Sequence, residues 1–97
     1  MDLSRIEKME ACLNKCTAAT KALNEQLDGV EALGDAAADL FAYYGSESWY
    51  RDREGTLPEG VAAGVLSEDL VYDQITELRD TAFRMLRLAT DMLQNWI

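Results

Sequence analysis

Apolar and small side chains recur at alternating steps of three and four residues along both ends of this chain. In the first segment these seam positions are Ile6, Met9, Leu13, Cys16, Thr20, Leu23, Leu27 and Val30. In the last segment they are Val71, Ile75, Leu78, Ala82, Met85, Ala89, Met92 and Trp96. Heptad spacing places such residues on one face of an α-helix. The pattern therefore predicts two long amphipathic helices.

Residues that favour helix starts precede both seams. Asp2 or Ser4 can act as the N-cap of the first helix, and Ser67 can cap the last one. Glu68 and Asp69 follow in the first turn of the last helix, where acids suit the positive end of the helix dipole. We therefore expect the first helix over about residues 4–28 and the last from Ser67 onward.

The last helix needs more than one neighbour, because Tyr72, Leu86, Leu88 and Leu93 widen its apolar face beyond the seam. The expected second neighbour is a helix over about residues 35–50. An irregular linker over 53–66, rich in glycine and holding the only proline, separates it from the last helix. We predict an all-α fold, a three-helix bundle with long first and last helices, in a single helical domain over 1–97.

Gly29 and Gly34 leave two topologies open. Each costs only about 1 kcal/mol relative to alanine in a helix, so the glycines either break the first helix or merely weaken a longer one. A break gives an up-down-up bundle, and continuity gives one long rod with the last helix folded back. We favour the break.

Composition limits the partners. The formal charge of −9 repels phosphate backbones and anionic membranes, so we expect neither nucleic acid nor membrane as a partner. At 97 residues a monomer is marginally stable, which makes a homo-oligomer plausible. The start of the sequence lacks the pattern of a signal peptide, and two cysteines fit a reducing compartment, so we expect a cytoplasmic protein.

Cys12 and Cys16 are four residues apart and lie on one helix face. Two thiolates so placed supply half of a zinc site, but the chain has no histidine and no third cysteine. We favour the simpler interpretation that both are core cysteines. We predict no metal site and no cofactor.

Acid pairs three residues apart on helices are the type that holds magnesium in all-helical nucleotide pyrophosphatases. Glu7/Glu10, Glu25/Asp28 and Glu77/Asp80 have this spacing. The heptad positions of Glu25, Asp28, Glu77 and Asp80 point outward, so we expect solvated acids rather than a metal centre. With no histidine to activate a serine or cysteine, no catalytic residue is predicted.

Five aromatic residues crowd into ten positions of the middle segment: Phe41, Tyr43, Tyr44, Trp49 and Tyr50. Phe41 and Tyr44 share one helix face and are expected in the core. The other three either cap the end of the bundle or form a recognition patch. Capping is the interpretation that we favour, with apolar residues of the linker packed on the rings.

Three stretches of the chain resemble the bacterial family known as domain of unknown function 4298. They are Arg5-Ile6-Glu7-Lys8-Met9-Glu10, then Tyr43-Tyr44-Gly45-Ser46-Glu47-Ser48-Trp49 with Asp52, and Gly64-Val65-Leu66-Ser67-Glu68-Asp69 with Tyr72-Asp73. The resemblance implies a small, mostly helical bacterial protein and brings no activity with it. It draws attention to Tyr43, Tyr44, Trp49, Asp52, Ser67, Glu68 and Asp69 as candidates for contact with a ligand or partner.

Together these observations favour a noncatalytic module that acts through protein contacts or by self-association. The alternative is a small-ligand binder or metal-dependent hydrolase. It would use Tyr43, Tyr44, Trp49 and Asp52 with the Glu68/Asp69 region.

Overall fold

The computed structural model describes all residues, 1–97, and is all-helical, as predicted. It has three α-helices and no strand, and the packing of these helices into a bundle stays a prediction. The helices are α1 (Leu3–Tyr43), α2 (Glu47–Glu54) and α3 (Glu68–Asp91), with a 3-10 turn over Gly64–Leu66 and a π-helical turn over Met92–Trp96.

Backbone contacts divide the chain into two compact units, Met1–Ala38 and Asp39–Ile97. The first unit is made of α1 alone, which continues into the second. The second unit contains the end of α1, both other helices and the loops between them. The single domain expected over 1–97 stays a prediction.

In the first unit, α1 continues through both glycines, so the predicted break is wrong. The helix begins with Asp2, whose carboxylate accepts a hydrogen bond of 3.0 Å from the backbone N–H of Arg5. Gly29 and Gly34 lie inside α1, and neither has an atom nearby that a Cβ would meet. A cost of about 1 kcal/mol per glycine is too small to end a helix with good helix formers on both sides.

The seam of α1 is exposed, contrary to the expectation of an inward face. Leu13 is 58% exposed, and α1 has no buried residue. Cys12 and Cys16 are both exposed free thiols, which corrects their assignment to a core. The reason is that no second element lies in the first unit for the seam to pack against.

The middle helix differs from its predicted bounds because α1 runs to Tyr43 and α2 starts anew at Glu47. Gly45 separates them with φ +77°, a left-handed conformation that glycine adopts without strain. Ser46 then caps α2, since its hydroxyl accepts a hydrogen bond of 3.2 Å from the backbone N–H of Trp49. The predicted middle helix is therefore divided at Gly45 and Ser46: its first part belongs to α1 and its second part belongs to α2.

The linker is shorter than predicted. Arg53 and Glu54 belong to α2, residues 55–63 are irregular, and Gly64–Leu66 form the 3-10 turn. The cap of α3 is as predicted: Ser67 accepts a hydrogen bond of 3.2 Å from the backbone N–H of Leu70.

Burial in the second unit is confined to a small centre. Trp49 and Val71 are its buried side chains, at 2% and 4% exposure. The C-terminal end of α3 and the π-helical turn after it expose large apolar side chains, including Leu86 at 64% and Leu93 at 72%.

The acid pairs are solvated, as predicted. Their side chains are all exposed: Glu7, Glu10, Glu25, Asp28, Glu77 and Asp80. Nowhere in the chain do three or more cysteine, aspartate or glutamate side chains gather closely enough to hold a metal ion. None of the helices combines the length and the apolar character needed to cross a membrane.

Candidate functional site

The indole of Trp49 is the centre of the second unit. Its Nε1–H donates a hydrogen bond of 2.9 Å to the carbonyl of Val65, which holds the 3-10 turn against α2. The rings of Tyr44 and Tyr50 meet it edge to face, with centroids 5.0 Å and 4.9 Å away. The guanidinium carbon of Arg53 lies 4.5 Å from the ring centroid, in a cation–π contact. These contacts enclose the ring, so Trp49 acts in this structure as an anchor for the loop.

Tyr44 extends this cluster to the start of α3. Its hydroxyl donates a hydrogen bond of 3.2 Å to the carbonyl of Glu68, the first residue of that helix. Burial raises the pKa of the Tyr44 phenol, and the negative charge of Glu68 raises it further. The phenol is therefore a donor at neutral pH, and it links the segment after α1 to the segment after the linker.

Tyr43 makes a separate connection. Its hydroxyl donates a hydrogen bond of 2.5 Å to Oδ2 of Asp52, which ties the last residue of α1 to α2. This hydrogen bond, together with burial and the carboxylate charge, raises the pKa of the Tyr43 phenol. The hydrogen bond therefore stabilises the protonated form of the Tyr43 phenol.

An open cleft of about 380 Å³ lies beside the Tyr43–Asp52 pair. Tyr43, Arg51, Asp52 and Thr56 supply its polar side chains. Its apolar lining comes from the linker and the 3-10 turn, chiefly through Leu57, Val61, Val65 and Leu66. The cleft thus combines a cation, an anion and a phenol with an apolar wall, and its volume is in the range of small-molecule sites.

The structure brings together some of the predicted site residues and separates others. Tyr43 and Asp52 share the cleft, whereas Trp49 and Tyr44 pack on each other outside it. At the start of α3, Ser67 is engaged as the N-cap. The two acids that follow it, Glu68 and Asp69, are exposed and do not line the cleft. A role of these seven residues in ligand or partner contact stays a prediction.

Two features of the site were missed from the sequence. Arg51 lines the cleft, and Arg53 covers the indole of Trp49. Helical spacing within α2 could have indicated both arginines. Residue 53 is one turn after residue 49 and lies on the same face, whereas residues 51, 52 and 55 lie toward another face. Packing of the linker's apolar side chains on the aromatic rings stays a prediction, and the contact that the structure shows is the hydrogen bond from Trp49 to the backbone carbonyl of Val65.

The second unit has the fold of a small all-helical protein, in which Trp49 joins α2 to the 3-10 turn and Tyr44 links this cluster to the start of α3. The chain matches the family model described as Domain of unknown function (DUF4298) over residues 6–88, and it belongs to that family. The match includes α2, the cleft and most of α3. Searches of curated proteins and of solved structures found no match.

Proposed function

We propose that this protein is a noncatalytic interaction module that self-associates, and that α3 is a main contact surface. The observation that carries the proposal is the exposure of apolar side chains along α3 and the π-helical turn that continues it, of which Leu86, Leu93 and Trp96 are each more than 60% exposed. Burying a leucine side chain fully is worth about 1.5–3 kcal/mol. Several such residues on one helix supply enough free energy for a stable protein contact.

Packing within the second unit supports the same conclusion. Its buried side chains are Trp49 in α2 and Val71 in the first turn of α3, and the following turns of α3 have no comparable burial. In this proposal the helical bundle is completed by helices of a second copy, which cover the exposed part of α3. The three-helix packing expected from the sequence is then a property of the assembly.

The charge of the chain sets how association depends on salt. Each copy carries a formal charge of −9, so two copies repel each other at low ionic strength. Salt screens this repulsion over a distance of about 10 Å at 0.1 M. Self-association through apolar surfaces is therefore expected to strengthen as salt is added. The same charge supports the proposal that nucleic acids and anionic membranes are not partners, and the exposed free thiols support a reducing, cytoplasmic location.

Sedimentation velocity over a series of protein concentrations tests the proposal. The double variant Leu86→Gln/Leu93→Gln removes apolar surface while keeping good helix formers, and it should shift the protein toward monomer. The matched control Glu77→Gln/Arg84→Gln places the same side chain on the polar face of α3, keeps the net charge unchanged and should leave association intact. Far-ultraviolet circular dichroism checks that both variants stay helical.

Two results would contradict the proposal. A wild-type chain that stays monomeric up to about 1 mM would have a self-association free energy weaker than about −4 kcal/mol, too weak for a functional oligomer. Equal association of the two double variants would show that the apolar face of α3 is not the contact surface.

A second candidate function is small-ligand binding, which the cleft beside Tyr43 and Asp52 favours. Its guanidinium, carboxylate and apolar wall suit a zwitterionic or amphipathic small molecule. A thermal-shift screen of amino acids and short peptides tests this candidate. A ligand of the cleft should stabilise the wild type and lose that effect in Arg51→Gln, whereas Arg79→Gln, an exposed change on α3, should leave it unchanged. Stabilisation that persists in Arg51→Gln would contradict binding at the cleft.

A further inference from the structure

We infer that α1 pairs with α1 of a second copy, parallel and in register, along the seam from Ile6 to Val30. This deepens the proposed self-association by naming a second contact helix, its direction and its alignment. It concerns only the first unit, Met1–Ala38, and does not depend on the contacts of α3.

The first observation is that α1 is a continuous helix with an exposed apolar seam. It spans Leu3–Tyr43 without a break and buries none of its residues. Helices in water gain most of their stability from packing an amphipathic face rather than from helix propensity. A seam that keeps heptad spacing over four heptads fits another helix with the same spacing. The second copy supplies such a helix.

The second observation is charge complementarity, which selects the parallel direction. With Ile6 at heptad position a, Arg5 is a g residue and Glu10 is an e residue. In a parallel in-register pair, g of one chain faces the next e of the other, so Arg5 lies opposite the partner's Glu10. The twofold symmetry of a homodimer creates this opposite-charge contact twice.

An antiparallel pair offers no such contact. There the g positions of the two chains face each other, so Arg5 would lie opposite another g residue. The remaining g residues are Cys12, Ala19, Gln26 and Leu33. None of them is acidic, so no antiparallel alignment of the two seams places an acidic g residue opposite Arg5.

Cys16 provides a reporter of both direction and register. It is an exposed free thiol at heptad position d, and d residues of parallel in-register helices face each other. With helix axes 8–10 Å apart and Cα atoms about 2.3 Å from each axis, directly facing Cα atoms are about 3.4–5.4 Å apart. This separation overlaps the range of about 4.4–6.8 Å in which a disulfide can close. In an antiparallel pair, Cys16 instead faces position a of the partner.

The experiment is oxidation of the full chain carrying Cys12→Ser, in which Cys16 is the only thiol. Copper–phenanthroline in air takes two electrons from a pair of thiols, two protons are released, and a disulfide forms. We expect most of the chain to become a cross-linked dimer within minutes on non-reducing gels. The matched control has Cys12→Ser and Cys16→Ser with Ala18→Cys, which places the thiol on the outer face of α1. It should cross-link at least tenfold more slowly.

Direction is tested with mixed chains. The Cys12→Ser chain is mixed with chains whose only cysteine is Thr20→Cys or Leu27→Cys, and the cross-linked species are identified by mass spectrometry. The parallel in-register pair predicts links only between identical positions. Links between Cys16 and either substituted position would establish an antiparallel pair and overturn the inference. Equal cross-linking of Cys16 and of the outward Ala18→Cys thiol would also overturn it.

Charge reversal tests the register by a different route. Arg5→Glu and Glu10→Arg should each weaken dimerisation by roughly twofold to fivefold, and the double variant should restore it. Glu10→Arg is the decisive case, because it lowers the net negative charge and would strengthen association if total charge alone mattered. Strengthening by Glu10→Arg would contradict the Arg5–Glu10 contact.

These results separate the inference from the proposed function. If the chain sediments as an oligomer that depends on Leu86 and Leu93 but Cys16 does not cross-link, only the pairing of α1 is wrong. If Cys16 cross-links and the Leu86/Leu93 variant still associates, the pairing of α1 stands and the role of α3 is wrong.

Discussion

The hydroxyl of Tyr43 donates a hydrogen bond of 2.5 Å to the carboxylate of Asp52, nine residues later. This contact joins the last residue of α1 to α2 and forms one side of the cleft. We expect Tyr43→Phe to lower the thermal midpoint of the protein, because Asp52 loses its donor. Asp52→Asn should have a smaller effect, since the amide oxygen still accepts the hydrogen bond. Thermal unfolding by circular dichroism measures both. Tyr72→Phe, on the exposed surface of α3, is the control and should match the wild type.

Alkaline pH should weaken the same contact. The pKa of the Tyr43 phenol is raised above 10.0, chiefly by its hydrogen bond to Asp52, and that of Tyr44 is raised by burial. A raised pKa means that the folded state favours the protonated phenol. Its contribution to stability is therefore complete below pH 10.0 and is lost as the pH rises through the folded-state pKa. Urea unfolding at increasing pH should show this loss, and Tyr43→Phe should reduce its slope. An unchanged slope in Tyr43→Phe would show that other groups cause the alkaline loss.

Removal of the Trp49 indole should have the largest effect of any single substitution in the second unit. Trp49 is 2% exposed and holds Val65 through its Nε1–H. Trp49→Ala should cost about 3–5 kcal/mol, a large share of the stability of a small domain. Trp49→Phe keeps an aromatic ring but leaves the Val65 carbonyl unpaired, and it should cost about 1–3 kcal/mol. Chemical denaturation gives these values.

Trp96 supplies the control for this prediction, because its indole is 64% exposed at the end of the chain. Trp96→Phe should change the unfolding free energy by less than about 0.5 kcal/mol. Comparable losses from Trp49→Phe and Trp96→Phe would contradict the central role of Trp49.

Replacing glycine by alanine should have opposite effects on stability at Gly45 and at Gly34. Gly45 has φ +77° between α1 and α2, so Gly45→Ala forces a side chain into the left-handed region and should destabilise the protein by about 1–2 kcal/mol. Gly34 lies inside α1 with open space around its Cα. Gly34→Ala should stabilise the helix by about 0.5–1 kcal/mol. Thermal unfolding of both variants measures the difference. Destabilisation by Gly34→Ala would contradict an unbroken α1.

Local signals in the sequence predicted local structure well. Heptad spacing predicted long first and last helices, and the cap at Ser67 is where a serine followed by two acids indicates one. The same spacing correctly predicted that Glu25 and Asp28 are solvated. These features depend on backbone preferences within a few residues, which the sequence specifies directly.

The errors came from features that need knowledge of neighbours. The seam of α1 was expected to be covered, but within the first unit nothing packs on it. Gly34 was expected to break the helix, and the small cost of a glycine was outweighed by the residues around it. The predicted middle helix included Gly45. In the structure Gly45 follows the end of α1 and Ser46 caps the start of α2.

The sequence by itself determined the helical character of this protein, the start of α3 and the outward direction of its acids. Each of these follows from periodicity, capping and charge, which act over one or two turns. Only the tertiary structure decided that Trp49 is enclosed, that Tyr43 reaches Asp52 and that a cleft lies beside them. Those contacts join residues up to sixteen positions apart, and their geometry depends on how Gly45 and the linker turn the chain.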